Sequence, residues 1–163
     1  MVQRTRVTRG PVPEVERLYR EHRDRLWRGV LAFSGDPDLS ADAVAEAFAQ
    51  LLRRGDAVRD PLRWVWRAAF RIAAGELKER RMRSGGEMPE AAYELAEPAR
   101  ELVAALARLS PKQRAAVILH HYAGYPTKEV AEIIGSTTAA VRVHLSAGRR
   151  RLRDLLSEGD DDA

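Results

Sequence analysis

The chain of 163 residues contains no cysteine. That excludes disulfides, thiolate nucleophiles, iron–sulfur clusters and cysteine-ligated zinc. Histidine is scarce too: there are four, and His120 and His121 are adjacent. Neighbours on a helix project about 100° apart, a poor arrangement for holding one metal ion, so no metal site is expected. No apolar run approaches the roughly 20 residues that span a bilayer, which excludes a transmembrane helix. The basic start Met1–Pro11 is followed by no apolar stretch, so no secretory signal is visible. Strand signals are also missing. No segment sustains polar–apolar alternation, and no hairpin dipeptide sits between β-branched runs.

What is present is a globular balance, 45% hydrophobic and 32% charged, with a net charge of +4. The charge is segregated. Residues 1–9 hold three arginines and no acid, whereas 84–98 hold four glutamates and no base. Residues 99–157 hold 10 bases against four acids, and the end, 158–163, is acidic. Blocks of one sign point to polyanion contact in the basic segments and solvated connectors in the acidic ones.

The apolar periodicity predicts an all-α protein of two small helical modules joined by a linker. A basic tail covers 1–11, a first module 12–83, an acidic Gly- and Pro-containing linker 84–98, a second module 99–157 and an acidic tail 158–163. A short turn of helix is expected near Tyr93 in the linker. In the first module, helices are expected over Val12–Phe33, over 41–54 behind an N-cap at Ser40, and from Pro61 to about Arg83. In the second, an apolar face at Leu102, Val103, Leu106 and Leu109 precedes Ser110-Pro111, an N-cap with proline at the first helical position. Helices are then expected over 111–122, 127–134 and 137–156.

The stretch 127–153 has the pattern of a helix-turn-helix: a short helix, a glycine turn at Gly135, and a longer basic helix. Val130, Ile133 and Ile134 with Val141 and Leu145 would pin the crossing. Set Val141 at zero and advance about 100° per residue. Val141, Leu145, Gly148, Leu152, Leu155 and Leu156 then form a buried stripe. Ala139, Arg142, Val143, Ser146, Arg149, Arg150 and Arg153 form the opposite face. Five arginines between 142 and 153 come without a single acid. Small residues permit close approach to a groove, Arg142 suits base edges, and the later arginines suit phosphates.

Two further faces carry chemistry. On the helix after Pro61, Arg63, Arg67, Arg71, Lys78 and Arg81 share one side, with Trp64 beside them. Trp66, Phe70 and Leu77 border the other edge. Cations flanked by aromatics suit single-stranded or melted nucleic acid; core anchoring is the competing role for the tryptophans. On the helix over 41–54, Asp42, Glu46 and Phe48 suggest an acidic and apolar protein-binding face. No histidine or third carboxylate completes a catalytic or metal site there, and no catalytic residue is identified anywhere.

Taken in order, these features resemble a known family. The order is Gly35-Asp36-Pro37, the acidic helix around Asp42–Phe48, Trp64-Val65-Trp66-Arg67, the linker, Leu109-Ser110-Pro111-Lys112-Gln113-Arg114, and the helix-turn-helix. It resembles the extracytoplasmic-function group of RNA polymerase sigma factors, over about residues 12–156. The resemblance implies that the first module is sigma region 2. Asp42, Glu46 and Phe48 would meet the clamp coiled coil of core RNA polymerase. The loop 55–62 with Arg63, Trp64, Arg67, Arg71 and Lys78 would recognise and melt the minus-10 element. The second module would be region 4, reading the minus-35 element of promoter DNA through Ala139, Arg142, Val143, Ser146, Arg149, Arg150 and Arg153, and meeting the polymerase flap. The acidic linker would thread near the RNA exit path.

The resemblance further implies a cytoplasmic, non-enzymatic protein with an anti-sigma factor as partner. It implies no cofactor, no small-molecule substrate and no membrane insertion. The chain departs from the usual pattern at Ala45, Arg71, Gly75, Val143 and Ala147, and Pro126 stands where an N-capping Ser or Thr is usual. Two other readings of the same residues stay open: a stand-alone helix-turn-helix regulator, and a sigma-like decoy that binds polymerase or an anti-sigma factor without reading DNA.

Overall fold

The computed structural model describes residues 12–84 and 95–160, and all its regular structure is helical. The basic tail, the expected turn near Tyr93, most of the linker and the last three residues lie outside the described residues. Among the described residues no helix is long and apolar enough to cross a membrane.

Helix α1 (Val12–Ser34) buries Leu26, Val30 and Phe33, spaced as one face of a helix. It ends at Gly35, whose φ of 72° is open to glycine and whose N–H donates to the Leu31 carbonyl at 2.7 Å. Helix α2 (Pro37–Arg54) starts earlier than the sequence predicts. Its cap is Asp36, whose carboxylate accepts from the N–H groups of Asp38 and Leu39 at 2.9 and 3.0 Å. Ser40, the expected cap, lies one turn inside, fully buried, donating to the Asp36 carbonyl at 2.7 Å. A carboxylate directly before Pro37 is the better cap, because it satisfies two orphan N–H groups where proline removes a third. Asp36 also pairs with Arg80. Burial pushes its carboxyl up, but the Leu39 N–H and Arg80 outweigh that and hold it below the usual range.

A short 3-10 turn (Gly55–Ala57) leads to α3 (Pro61–Ser84). Asp60 starts α3 by accepting from the Arg63 N–H at 3.1 Å. Val65, Trp66, Ala69, Phe70 and Ala73 face the bundle core, where Phe70 packs against Phe33 and Trp66 with ring centroids 5.1 and 5.9 Å away.

The second group begins with α4 (Glu97–Ala107), whose first turn takes Glu97 and Pro98 from the segment read as linker. Ser110 and Gln113 form a reciprocal capping box at the start of α5 (Pro111–Val117). The helix expected to continue to 122 changes pitch. Ile118–Tyr122 is a π-helical turn, with the Ala123 N–H reaching the Ile118 carbonyl at 3.0 Å. Helix α6 (Thr127–Ile134) ends in left-handed Gly135, φ 65°. Thr137 caps α7 (Thr138–Asp160) by accepting from the Ala140 N–H at 3.1 Å. Val130 and Ile133 are buried with Val141 and Leu145, as the helix-turn-helix requires.

The two groups do not stand apart: their buried residues form one continuous cluster from Val15 to Leu145. Tyr125 meets Trp66 edge-on at 6.3 Å between centroids. Arg25 of α1 donates to the Tyr122 carbonyl at 2.8 Å. Gly29 lets the Trp66 ring lie against the α1 backbone, since a β-carbon there would come within 2.7 Å of it. Each helical group alone is small for a stable core, and sharing one removes more apolar surface from water.

Candidate nucleic-acid interface

The strongest basic face is on α7. The crossing at Gly135 presses Val141 and Leu145 inward, and Gly148 brings α7 close to α5, where an added β-carbon would lie 2.9 Å from Val117. That packing fixes the rotation of the helix. Ala139, Arg142, Val143, Ser146, Arg149, Arg150 and Arg153 all emerge exposed on the other side. None of these arginines appears among the ion pairs of the described residues, whereas Arg20, Arg53, Arg80 and Arg83 are each matched to a carboxylate. Uncompensated, geometrically aligned guanidinium groups are what a phosphate backbone recruits.

The α3 stripe is divided. Arg67, Arg71 and Lys78 are not buried, and no carboxylate among the described residues pairs with them. Arg63 is instead turned toward the second group. Its guanidinium sits 2.8 Å from Glu132 and 3.6 Å from Glu129, both on α6, and 3.3 Å from Asp60. Trp64 is half-buried and Trp66 fully buried, so one tryptophan anchors the core and the other faces the basic surface. Arg54 lies over the Trp64 ring, 5.7 Å from its centroid.

A pocket of about 260 Å³ opens here, lined by Arg54, Arg59, Asp60, Arg63, Trp64 and Glu132 among others. Arg54 and Arg59 are functional candidates that the sequence pattern does not single out. Their signal is two cations bracketing a short loop that ends beside a tryptophan. The larger cleft between the groups, about 460 Å³, has Phe33, Phe70 and Ile133 in its lining and Arg67, Arg71 and Lys112 as its cations.

On α2, Asp42 and Glu46 are exposed as expected. Hydrogen bonds from Gln50 and Arg53 hold the Glu46 carboxyl below its usual range. Phe48 requires a correction. It is only 4% exposed and packs edge-on against Tyr19 at 5.0 Å, so it supports the face from beneath and offers no surface. The reason is helical spacing: Val44, Phe48 and Leu51 lie at i, i+4 and i+7 on the inward stripe. Leu52 is the large apolar side chain that α2 exposes.

Between the groups, Arg114 of α5 is buried and has no carboxylate in contact among the described residues. It donates to the carbonyls of Phe33 at 2.7 Å and Leu109 at 3.2 Å. Burial, with Arg81 nearby, pushes its pKa down. Tyr125 is pushed up to about 12, by burial first and then by Asp60 and Glu129.

Comparison with known proteins gives this geometry its relatives. The family described as Sigma-70, region 4 matches residues 99–152. The ECF RNA polymerase sigma factor SigL of Mycobacterium tuberculosis is 30% identical over 155 residues, 86% of this chain and 88% of that protein. The RNA polymerase sigma-E factor of Streptomyces coelicolor is 30% identical over 170 residues, covering 94% and 92%. Among solved structures, the sigma factor RpoE of Bartonella quintana, in complex with the anti-sigma factor NepR, superposes with a TM-score of 0.72. It covers 87% of this chain and 98% of that one at 21% identity, a likeness of fold. The M. tuberculosis extracytoplasmic function sigma factor SigJ matches with a TM-score of 0.61 at 28% identity, over 87% of this chain and 53% of that one.

Proposed function

The chain belongs to the extracytoplasmic-function sigma factors of RNA polymerase, and on that premise we propose how its surfaces divide the work of directing core polymerase to specific promoters. Residues 12–83 act as region 2 and residues 99–157 as region 4, with 84–98 as the connector. The α7 face carrying Arg142, Val143, Ser146, Arg149, Arg150 and Arg153, with Ala139 at its start, enters the major groove at the minus-35 element. The α3 stripe of Arg63, Trp64, Arg67, Arg71 and Lys78 holds the minus-10 strand, with the Trp64 pocket as the seat for an unstacked base. Asp42 and Glu46, with Leu52 in place of the buried Phe48, face the polymerase clamp. The protein performs no chemistry of its own: it supplies binding energy and sequence preference to an enzyme that does. It works in the cytoplasm, where promoter DNA is, and an anti-sigma protein is its expected regulator.

The observation that carries this reading is the row of exposed α7 arginines, uncompensated among the described residues, on a helix held by a glycine turn against a short helix. Run-off transcription tests it, using bacterial core polymerase on sheared genomic DNA with and without the protein. Discrete protein-dependent starts sharing two upstream elements are expected. No new starts from a competent polymerase would contradict the reading and favour a decoy that binds partners without reading promoters.

A further inference from the structure

Val143 is the one large apolar side chain on an otherwise polar and cationic face. It is 66% exposed, more than any other large apolar residue of the described chain except Met82. It sits along one edge of that face: with Val141 at zero, Arg149, Arg142 and Arg153 fall at about 80°, 100° and 120°, and Ser146, Ala139, Arg150 and Val143 at about 140°, 160°, 180° and 200°. Its neighbours one turn away on either side, Ala139 and Ala147, are small, so nothing on the helix shields it from an approaching groove. The surrounding arginines repel a second copy of this surface and attract a polyanion.

We infer that Val143 reads the C5-methyl group of a thymine in the minus-35 element and thereby sets this factor's preference at that base. The major groove displays donors, acceptors and a single apolar group, the thymine methyl. A valine has neither donor nor acceptor, so that methyl is the only feature of a base edge it can recognise. Arg142 is the adjacent residue, about 100° around the axis and about 1.5 Å along it. It presents the fork that matches the O6 and N7 of guanine. Together they specify a guanine and a thymine close together in one stretch of groove, with the arginines at 149, 150 and 153 on the flanking phosphates.

The inference rests on the sigma reading and deepens it, and the test separates the two. Holoenzyme is assembled from core polymerase and the full chain, and its affinity is measured for a promoter taken from its own protein-dependent starts. Each thymine of the upstream element is replaced in turn by deoxyuridine, which lacks only the methyl. At one position the uracil duplex should bind about 3- to 10-fold more weakly. With Val143→Ala, the thymine duplex should weaken and the thymine–uracil difference should shrink, while dependence on the guanine persists. The exposed side chain leaves the fold out of the comparison, and unchanged circular dichroism and Tm verify that. Uracil tolerated at every position, or discrimination undiminished by Val143→Ala, would overturn the inference and leave the sigma reading standing. A holoenzyme that prefers no sequence at all would overturn both.

Discussion

Arg114 of α5 donates to the carbonyl of Phe33, 2.7 Å away, at the last turn of α1, and its guanidinium lies over the Phe33 ring at 5.2 Å. One side chain thus closes the C-terminal end of a helix in the first group from inside the second. Helix ends carry unsatisfied carbonyls and partial negative charge, which a cation satisfies. The same residue holds the loop before α5 through the Leu109 carbonyl at 3.2 Å.

Arg114→Met should keep much of the packing and lose those bonds. It should destabilise the protein by about 2–3 kcal/mol, because buried carbonyls are left without donors. Arg114→Lys should recover only part of the loss, since a point ammonium does not reproduce the planar fork. Urea unfolding of the three proteins checks this; a loss for Arg114→Met within experimental error would show that the buried cation contributes nothing net.

Glu132 lies 2.8 Å from Arg63, which we propose holds the minus-10 strand. The pair is substantially exposed, so Glu132→Gln should change stability by less than about 1 kcal/mol. It should nevertheless raise affinity for a single-stranded minus-10 oligonucleotide several-fold, by releasing Arg63 and removing a negative charge from the pocket rim. Fluorescence anisotropy at two salt concentrations checks this. Affinity that does not rise would mean that Arg63 is not competed for.

Gly29 is packed against the Trp66 ring so closely that a β-carbon would stand 2.7 Å from it. Gly29→Ala improves intrinsic helix propensity, yet it should destabilise by about 1–3 kcal/mol, because overpacking a buried indole outweighs propensity. Thermal unfolding decides the sign. An increase in Tm would show that Trp66 has room to shift.

Tyr125 has its phenol pushed up to about 12. A raised value means that the folded state holds the proton more tightly than the unfolded state does. Its contribution is therefore fully present below about pH 10 and is lost as pH rises toward 12. Stability measured between pH 9 and 12 should fall more steeply for the native protein than for Tyr125→Phe. Parallel curves would show that the phenol is not sequestered between the groups.

The α7 face is legible in the sequence because local rules determine it. Gly135 permits the left-handed turn, and the apolar positions from Val141 onward have only one way to face inward, so the arginines must emerge opposite. The same rules end α1 just before Asp36-Pro37 but favour Ser40 over Asp36 as the next cap. Both are good capping residues, and the choice depends on which donors are free and on the distant Arg80 that Asp36 also serves. Phe48 reads as surface from its acidic neighbours, although its spacing from Val44 and Leu51 marks the core. Its partner Tyr19 lies on another helix, beyond what one helix's periodicity displays.

What the sequence determined by itself is therefore the set of helices, the end of α1 before Asp36-Pro37, the turn at Gly135, and the chemical character of each face. These follow from backbone sterics, capping and apolar period, all of which act within about one or two helical turns. What only the tertiary structure decided is that two helical groups share one core, that Arg114 seals α1, and that Arg63 is held by Glu129 and Glu132. Those pairings join residues tens of positions apart, and their energy comes from removing apolar surface from water and matching buried polar groups in three dimensions. No pattern along the chain encodes which distant surface will be the one to meet.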